Sequence, residues 1–101
     1  MGYNLVITPK AQQSIDDVLK MVGDLWGMES YSKLLHELDR CFEIIQNYPL
    51  AFHVNVHYPE IRQCVVTPLN ILYYQIEEED IIILAFENTR TNPDKSFLGI
   101  K

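Results

Sequence analysis

Arg62, Arg90 and His57 are the side chains through which this sequence of 101 residues could do chemistry. A guanidinium grips a phosphate or a carboxylate through two parallel hydrogen bonds, and an imidazole can move a proton near neutral pH. Arg62 stands at the entry and Arg90 at the exit of the stretch Glu60 to Asp94, where three short apolar runs are separated by turn signals at Thr67-Pro68-Leu69-Asn70 and at Glu77 to Asp80. Each run has strand length and is rich in Val, Ile, Tyr and Phe, so the stretch reads as a three-stranded meander bracketed by two cations. The two arginines could instead pair internally with Glu60, Glu87 or Asp94, and the residues alone leave both uses open. Tyr73 and Tyr74 are adjacent on one predicted strand and must face opposite sides of the sheet, one into the core and one toward the open face. Asn92-Pro93 reads as the turn that ends the last strand, with Asn92 also a candidate contact.

A metal centre is not expected. Between Pro49 and Pro59 the apolar Phe52, Val54 and Val56 alternate with His53, Asn55 and His57. If that segment is extended, the two histidines lie roughly 13 Å apart, too far to share one ion. Cys41 and Cys64 are too few and too isolated for a zinc site or a disulfide framework, and read as reduced core thiols. No cofactor is implied.

The elements that must position these residues are legible in order. Tyr3 to Thr8 reads as a short β-branched strand, followed at once by Thr8-Pro9, a helix N-cap with proline at the first helical position. Ile15, Val18, Leu19 and Val22 then form an apolar stripe, and Gly23 or Gly27 ends the helix. A connection from Asp24 to Glu29 holds the only tryptophan, Trp26, and a second helix runs from about Ser30 to Asn47 with Tyr31, Leu34, Leu35, Leu38, Phe42 and Ile45 at helical spacing. Two amphipathic helices with a short link form a hairpin whose apolar side needs a sheet to cover. The fold class is therefore α+β: an N-terminal strand, then a helix hairpin packed on one face of a mainly antiparallel four-stranded sheet, in the order β-α-α-β-β-β. Because Ile81-Ile-Ile-Leu-Ala-Phe86 is apolar at every position, its strand is expected to be central and covered on both sides. The second cover would be Phe97 to Ile100, a second copy of the chain in a homodimer, or a partner's segment.

Composition narrows the partners. A net charge of −6 and 48% hydrophobic residues suit one globular domain over residues 1–101 and disfavour unspecific binding to phosphate backbones. The acidic run Glu77 to Asp80 reads as a solvated hairpin tip. With no span of membrane length and no secretory pattern at the N-terminus, the chain is expected in the cytoplasm.

Three pieces of this pattern resemble the RelE/ParE superfamily of type II toxin–antitoxin toxins, and its ParE-like branch above all. They are Ile7-Thr-Pro-Lys-Ala11 opening the first helix, Leu35-His-Glu-Leu-Asp-Arg-Cys-Phe-Glu-Ile-Ile-Gln-Asn-Tyr-Pro49 closing the second, and the meander with Arg62, Tyr74-Gln75-Ile76 and Ile83 to Pro93. The likeness covers about residues 3 to 95. It implies a plasmid-stabilisation type toxin held inactive by a cognate antitoxin, which either poisons DNA gyrase or cleaves messenger RNA on the ribosome. It also makes Tyr74 the buried tyrosine of the pair.

The ribonuclease branch is similar to a metal-free acid–base catalyst, whose cations offset the charge developing on phosphate. In this chain, strand positions that are basic in such enzymes carry Gln63, Cys64 and Asn70, and no tyrosine follows Arg90. The leading expectation is therefore a toxin that binds a protein target such as DNA gyrase, with Arg62, Tyr73, Arg90 and Asn92 as partner contacts. The alternatives are a ribosome-dependent messenger RNA endoribonuclease working through Arg62, Arg90 and His57, and a decayed member that retains only antitoxin binding.

Overall fold

The computed structural model describes residues 2–89. The elements follow in the expected order: β1 (Asn4–Ile7), α1 (Pro9–Trp26), α2 (Met28–Asn47), β2 (Arg62–Thr67), β3 (Asn70–Glu77) and β4 (Asp80–Asn88). They build one four-stranded sheet in the order β1-β4-β3-β2. The meander pairs are antiparallel, whereas β1 runs parallel to β4 with Asn4 opposite Asp80, which makes the sheet mixed.

Helix α1 starts where its cap dictates. Thr8 Oγ1 accepts the Ala11 amide at 3.0 Å and donates to the Ile83 carbonyl at 3.1 Å, so one hydroxyl both caps the helix and fastens it to the central strand. Two turns on, Ser14 Oγ accepts the Phe86 amide at 3.0 Å. Ala11, Ile15, Val18, Leu19 and Val22 are all buried, as the stripe predicts.

The hairpin is tighter than expected. In place of a connection from Asp24 to Glu29, α1 runs through to Trp26 and α2 starts at Met28, with Gly27 alone between them. Gly27 has φ +91°, a conformation that side chains other than hydrogen rarely adopt, so this glycine makes the reversal possible. Gly23 stays inside the helix; a Cβ there would lie 3.3 Å from the Tyr31 ring, so the absence of a side chain lets the two helices approach. The tight turn leaves Leu25, Trp26 and Met28 exposed at the tip. On α2 the buried positions are Leu34, Leu38, Cys41 and Ile45, while Leu35, expected in the stripe, lies at its exposed margin.

Strand β4 is central, as its composition predicts. Ile81, Ile83 and Phe86 point into the core beneath the helices, joined by Leu72 and Tyr74 of β3 and by Cys64 and Val66 of β2. A bulge interrupts the alternation: Tyr73 pairs with Ala85 and Tyr74 with Ile83, so Leu84 is the extra residue. The sheet's second face carries Ile71, Tyr73, Ile82, Leu84 and Ala85, all buried or half-buried, and Val65, which is exposed. Phe97 to Ile100, named above as one possible cover, lie outside the described residues. Among the described residues no helix is long and apolar enough to cross a membrane.

The segment from Pro49 to Pro59 departs from its expected alternation. Only Val54 forms a ladder contact, a single bridge to Arg62, and the polar Asn55 is the buried residue while Val54 and Val56 are exposed. The physical reason is that Asn55 satisfies the turn. Its Oδ1 accepts the amides of His57 (2.8 Å) and Tyr58 (3.0 Å), and its Nδ2 donates to Gln63 Oε1 at 2.9 Å. A side chain holding three hydrogen bonds can be buried without an unsatisfied group, and this one turns the apolar neighbours outward.

Candidate functional site

Arg62 and Tyr74 face each other across the β2–β3 ladder, on the side of the sheet that packs against the helices. The Arg62 guanidinium donates to the Phe52 carbonyl at 2.7 Å, and the Tyr74 hydroxyl donates to the Pro49 carbonyl at the same distance. The Phe52 ring meets the Tyr74 ring edge-on, with centroids 6.5 Å apart and planes at 88°. These three contacts hold the loop after α2 onto the sheet. Burial pushes the Tyr74 phenol up to about 12, against the opposing pull of the Arg62 charge. The partner of Arg62 is therefore a main-chain carbonyl, where the sequence suggested Glu60, Glu87 or Asp94.

Tyr73 lies on the opposite face. Its Cα neighbours are Gln63 on β2 and Ala85 on β4, and its side chain is buried away from the helix-side core cluster. Both tyrosines are thus buried, Tyr74 under the helices and Tyr73 within the second face, where an open position for one of them was expected. Ala85 beside it is likewise buried, at 3% exposed.

His57 sits at the rim of a groove of about 510 Å³ lined by His53, Val54, Asn55, Val56, Gln63 and Val65. Gln63 and Val65 belong to the second face of the sheet, so the groove and that face form one continuous surface. It is a largely apolar one: Val56 is 90% exposed and Val65 58% exposed. The structure brings His57 to this surface together with His53, while the Arg62 guanidinium points to the other side of the same strand. Arg90 and Asn92 lie outside the described residues. Among the described residues no three His, Cys, Asp or Glu side chains converge as metal ligands.

Asn55 is the residue that sequence reasoning missed. A signal was present, since an Asn shortly before Tyr58-Pro59 suits a turn in which the side chain mimics a backbone carbonyl. The β-branched Val54 and Val56 on either side outweighed it.

The comparisons with known proteins fit this geometry. The family described as "ParE toxin of type II toxin-antitoxin system, parDE" matches residues 5–93. No curated protein gives a significant match. Among solved structures, the chromosomal ParDE system of P. aeruginosa superposes with a TM-score of 0.73 at 17% identity, covering 85% of this chain and 95% of the other. The toxin–antitoxin complex DinJ–YafQ of E. coli gives 0.61 at 10% identity, covering 88% and 94%. The YoeB dimer of Staphylococcus aureus gives 0.57 at 11% identity, covering 84% and 94%. At such identities the likeness to these structures concerns the fold. The family match spans nearly the whole sequence, and by it the chain belongs to the ParE toxin family of type II toxin–antitoxin systems.

Proposed function

We propose that this toxin arrests growth by binding a protein target, DNA gyrase being the one its family resemblance implies, and that a cognate antitoxin neutralises it by covering the same surface. The observation that carries this reading is the apolar surface made by the second sheet face and the adjoining groove. Exposed valines beside half-buried Ile and Leu, with few charges among them, match the composition of a protein-binding core. Binding RNA phosphates would call for Lys and Arg at these positions, where Gln63, Val65 and Ile71 stand. Arg62, the cation nearest to this surface in sequence, is committed to holding the Phe52 carbonyl. In this reading Arg62 shapes the loop that frames the groove, Tyr73 supports the face from within, and Arg90 and Asn92 meet acidic side chains of the partner.

Expression of the chain without antitoxin tests the reading. The expected result is growth arrest with a DNA-damage response and intact messages. Messenger RNA cut at codon-spaced positions, in a pattern lost in Arg90→Ala or His57→Ala, would replace it with the endoribonuclease reading. Normal growth at high soluble yield would leave only antitoxin binding.

A further inference from the structure

The two thiols that sequence spacing left isolated are brought together by the fold. Cys41, from the middle of α2, and Cys64, from β2, place their sulfurs 3.0 Å apart, with the Cys64 thiol donating to Cys41 Sγ. Both are free and buried, Cys64 at 0% and Cys41 at 8% exposed. A disulfide bond needs about 2 Å between sulfurs, so a shift of roughly 1 Å in two side chains would complete it. Neither thiol belongs to the surface assigned to partners, and nothing in the toxin's binding function uses them.

We propose that Cys41 and Cys64 are a peroxide-responsive pair, joined by hydrogen peroxide into an intramolecular disulfide that locks α2 onto the edge strand β2. The roles of the two sulfurs are unequal. The bond donated by Cys64 favours the thiolate on Cys41 and lowers its pKa, against the effect of burial, while the same bond and burial together raise that of Cys64. Cys41 is also the residue of the two that keeps some exposure, 8% against 0%. Its thiolate attacks one peroxide oxygen, the O–O bond breaks, and Cys41 becomes a sulfenic acid with release of hydroxide, which takes up a proton as water. Cys64 then gives up its proton and attacks Cys41 Sγ. The S–O bond breaks, the hydroxyl leaves as a second water, and the S–S bond forms. In total two thiols and one peroxide give one disulfide and two waters, the sulfurs supplying two electrons to the peroxide.

The bond would close the chain between α2 and β2 and restrict its unfolded state, so the oxidised protein unfolds at a higher temperature. The test is to treat the folded protein with hydrogen peroxide, remove the peroxide with catalase, and alkylate in denaturant without a reductant. The expected result is a monomer in which neither cysteine takes up the alkylating agent, peptide mapping that finds Cys41 joined to Cys64, and a melting midpoint raised by roughly 10 °C. Dithiothreitol should return both thiols and the original midpoint. In Cys64→Ser, Cys41 should stop at the sulfenic acid and be trapped by dimedone. Should that variant fail to fold, the peptide map of the wild-type chain decides alone. Full alkylation of both cysteines after peroxide treatment would overturn the proposal, as would disulfide-linked dimers or a sulfinic acid on Cys41 in the wild type.

Discussion

Tyr73 and Tyr74 are consecutive residues of one strand, and they divide the molecule between them. Tyr74 lies on the face covered by the helices, where its hydroxyl, its ring and the adjacent Arg62 all engage the loop from Pro49 to Phe52. Tyr73 lies on the face where β2 runs out into exposed Val65 and the groove rimmed by His53 and His57. One face is closed by intramolecular bonds, with no buried side-chain nitrogen or oxygen left unpaired among the described residues, and the other extends at its edge into apolar surface. Residues of the first kind carry stability, and those of the second kind belong to the surface proposed for a partner. A substitution should therefore tell the two faces apart by what it damages.

The largest effect is expected at Tyr74→Ala. Removing a fully buried aromatic ring and its hydrogen bond should cost about 3–5 kcal/mol, read from urea unfolding, and should loosen the loop that frames the groove. A loss below about 1 kcal/mol would mean that the helix side is not where the stability resides.

The next effect is read by pH. The Tyr74 phenol ionises near 12 in the folded chain and near 10.0 when unfolded, so between these values the folded state keeps a proton that the unfolded state has lost. Stability from this group is therefore level below pH 10 and falls as pH rises toward 12, by roughly 2–3 kcal/mol in all. Tyr74→Phe should remove that part of the alkaline slope, at a cost of about 1 kcal/mol at neutral pH for the unpaired Pro49 carbonyl. An unchanged slope in this variant would assign the alkaline transition to other groups.

Arg62→Met keeps the side-chain stem and removes the donor to the Phe52 carbonyl, and should cost about 1–2 kcal/mol. Partner binding should weaken only as far as the loop is disordered. If binding were lost while the melting temperature stayed the same, Arg62 would be a direct contact.

The smallest effect on stability is expected at Val65→Asp, within about 0.5 kcal/mol by the same unfolding measurement, because this side chain is exposed on the second face. Its effect on partner affinity should be the largest of the four, at least about tenfold, from placing a charge in an apolar interface.

Much of the scaffold was legible in the residues. Thr8-Pro9 announced the start of α1, the stripe from Ile15 to Val22 announced its buried face, and the all-apolar run from Ile81 to Phe86 announced the central strand. Each of these is a local signal that the tertiary structure reinforces. The misreadings arose where a distant contact overrode the local one. Gly23 resembles a helix terminator until Tyr31 is seen packed against it, and the alternation from Phe52 to His57 resembles a strand until Asn55 is found satisfied by Gln63 and by its own turn. The candidate site was legible in part. That Arg62 and Tyr73 would stand on opposite faces follows once Arg62 is paired with Tyr74, but this pairing belongs to a β2–β3 ladder interrupted by a bulge at Val66, which no local pattern revealed.

The most direct test of the central claim, that the second face is a docking surface for a protein target, is a titration of purified chain into a DNA gyrase supercoiling reaction without ribosomes or messenger RNA. Inhibition by the wild type is expected, with at least about tenfold weaker inhibition by Val65→Asp and both proteins melting at the same temperature. Undiminished supercoiling at saturating wild-type protein, or equal inhibition by the two, would contradict it.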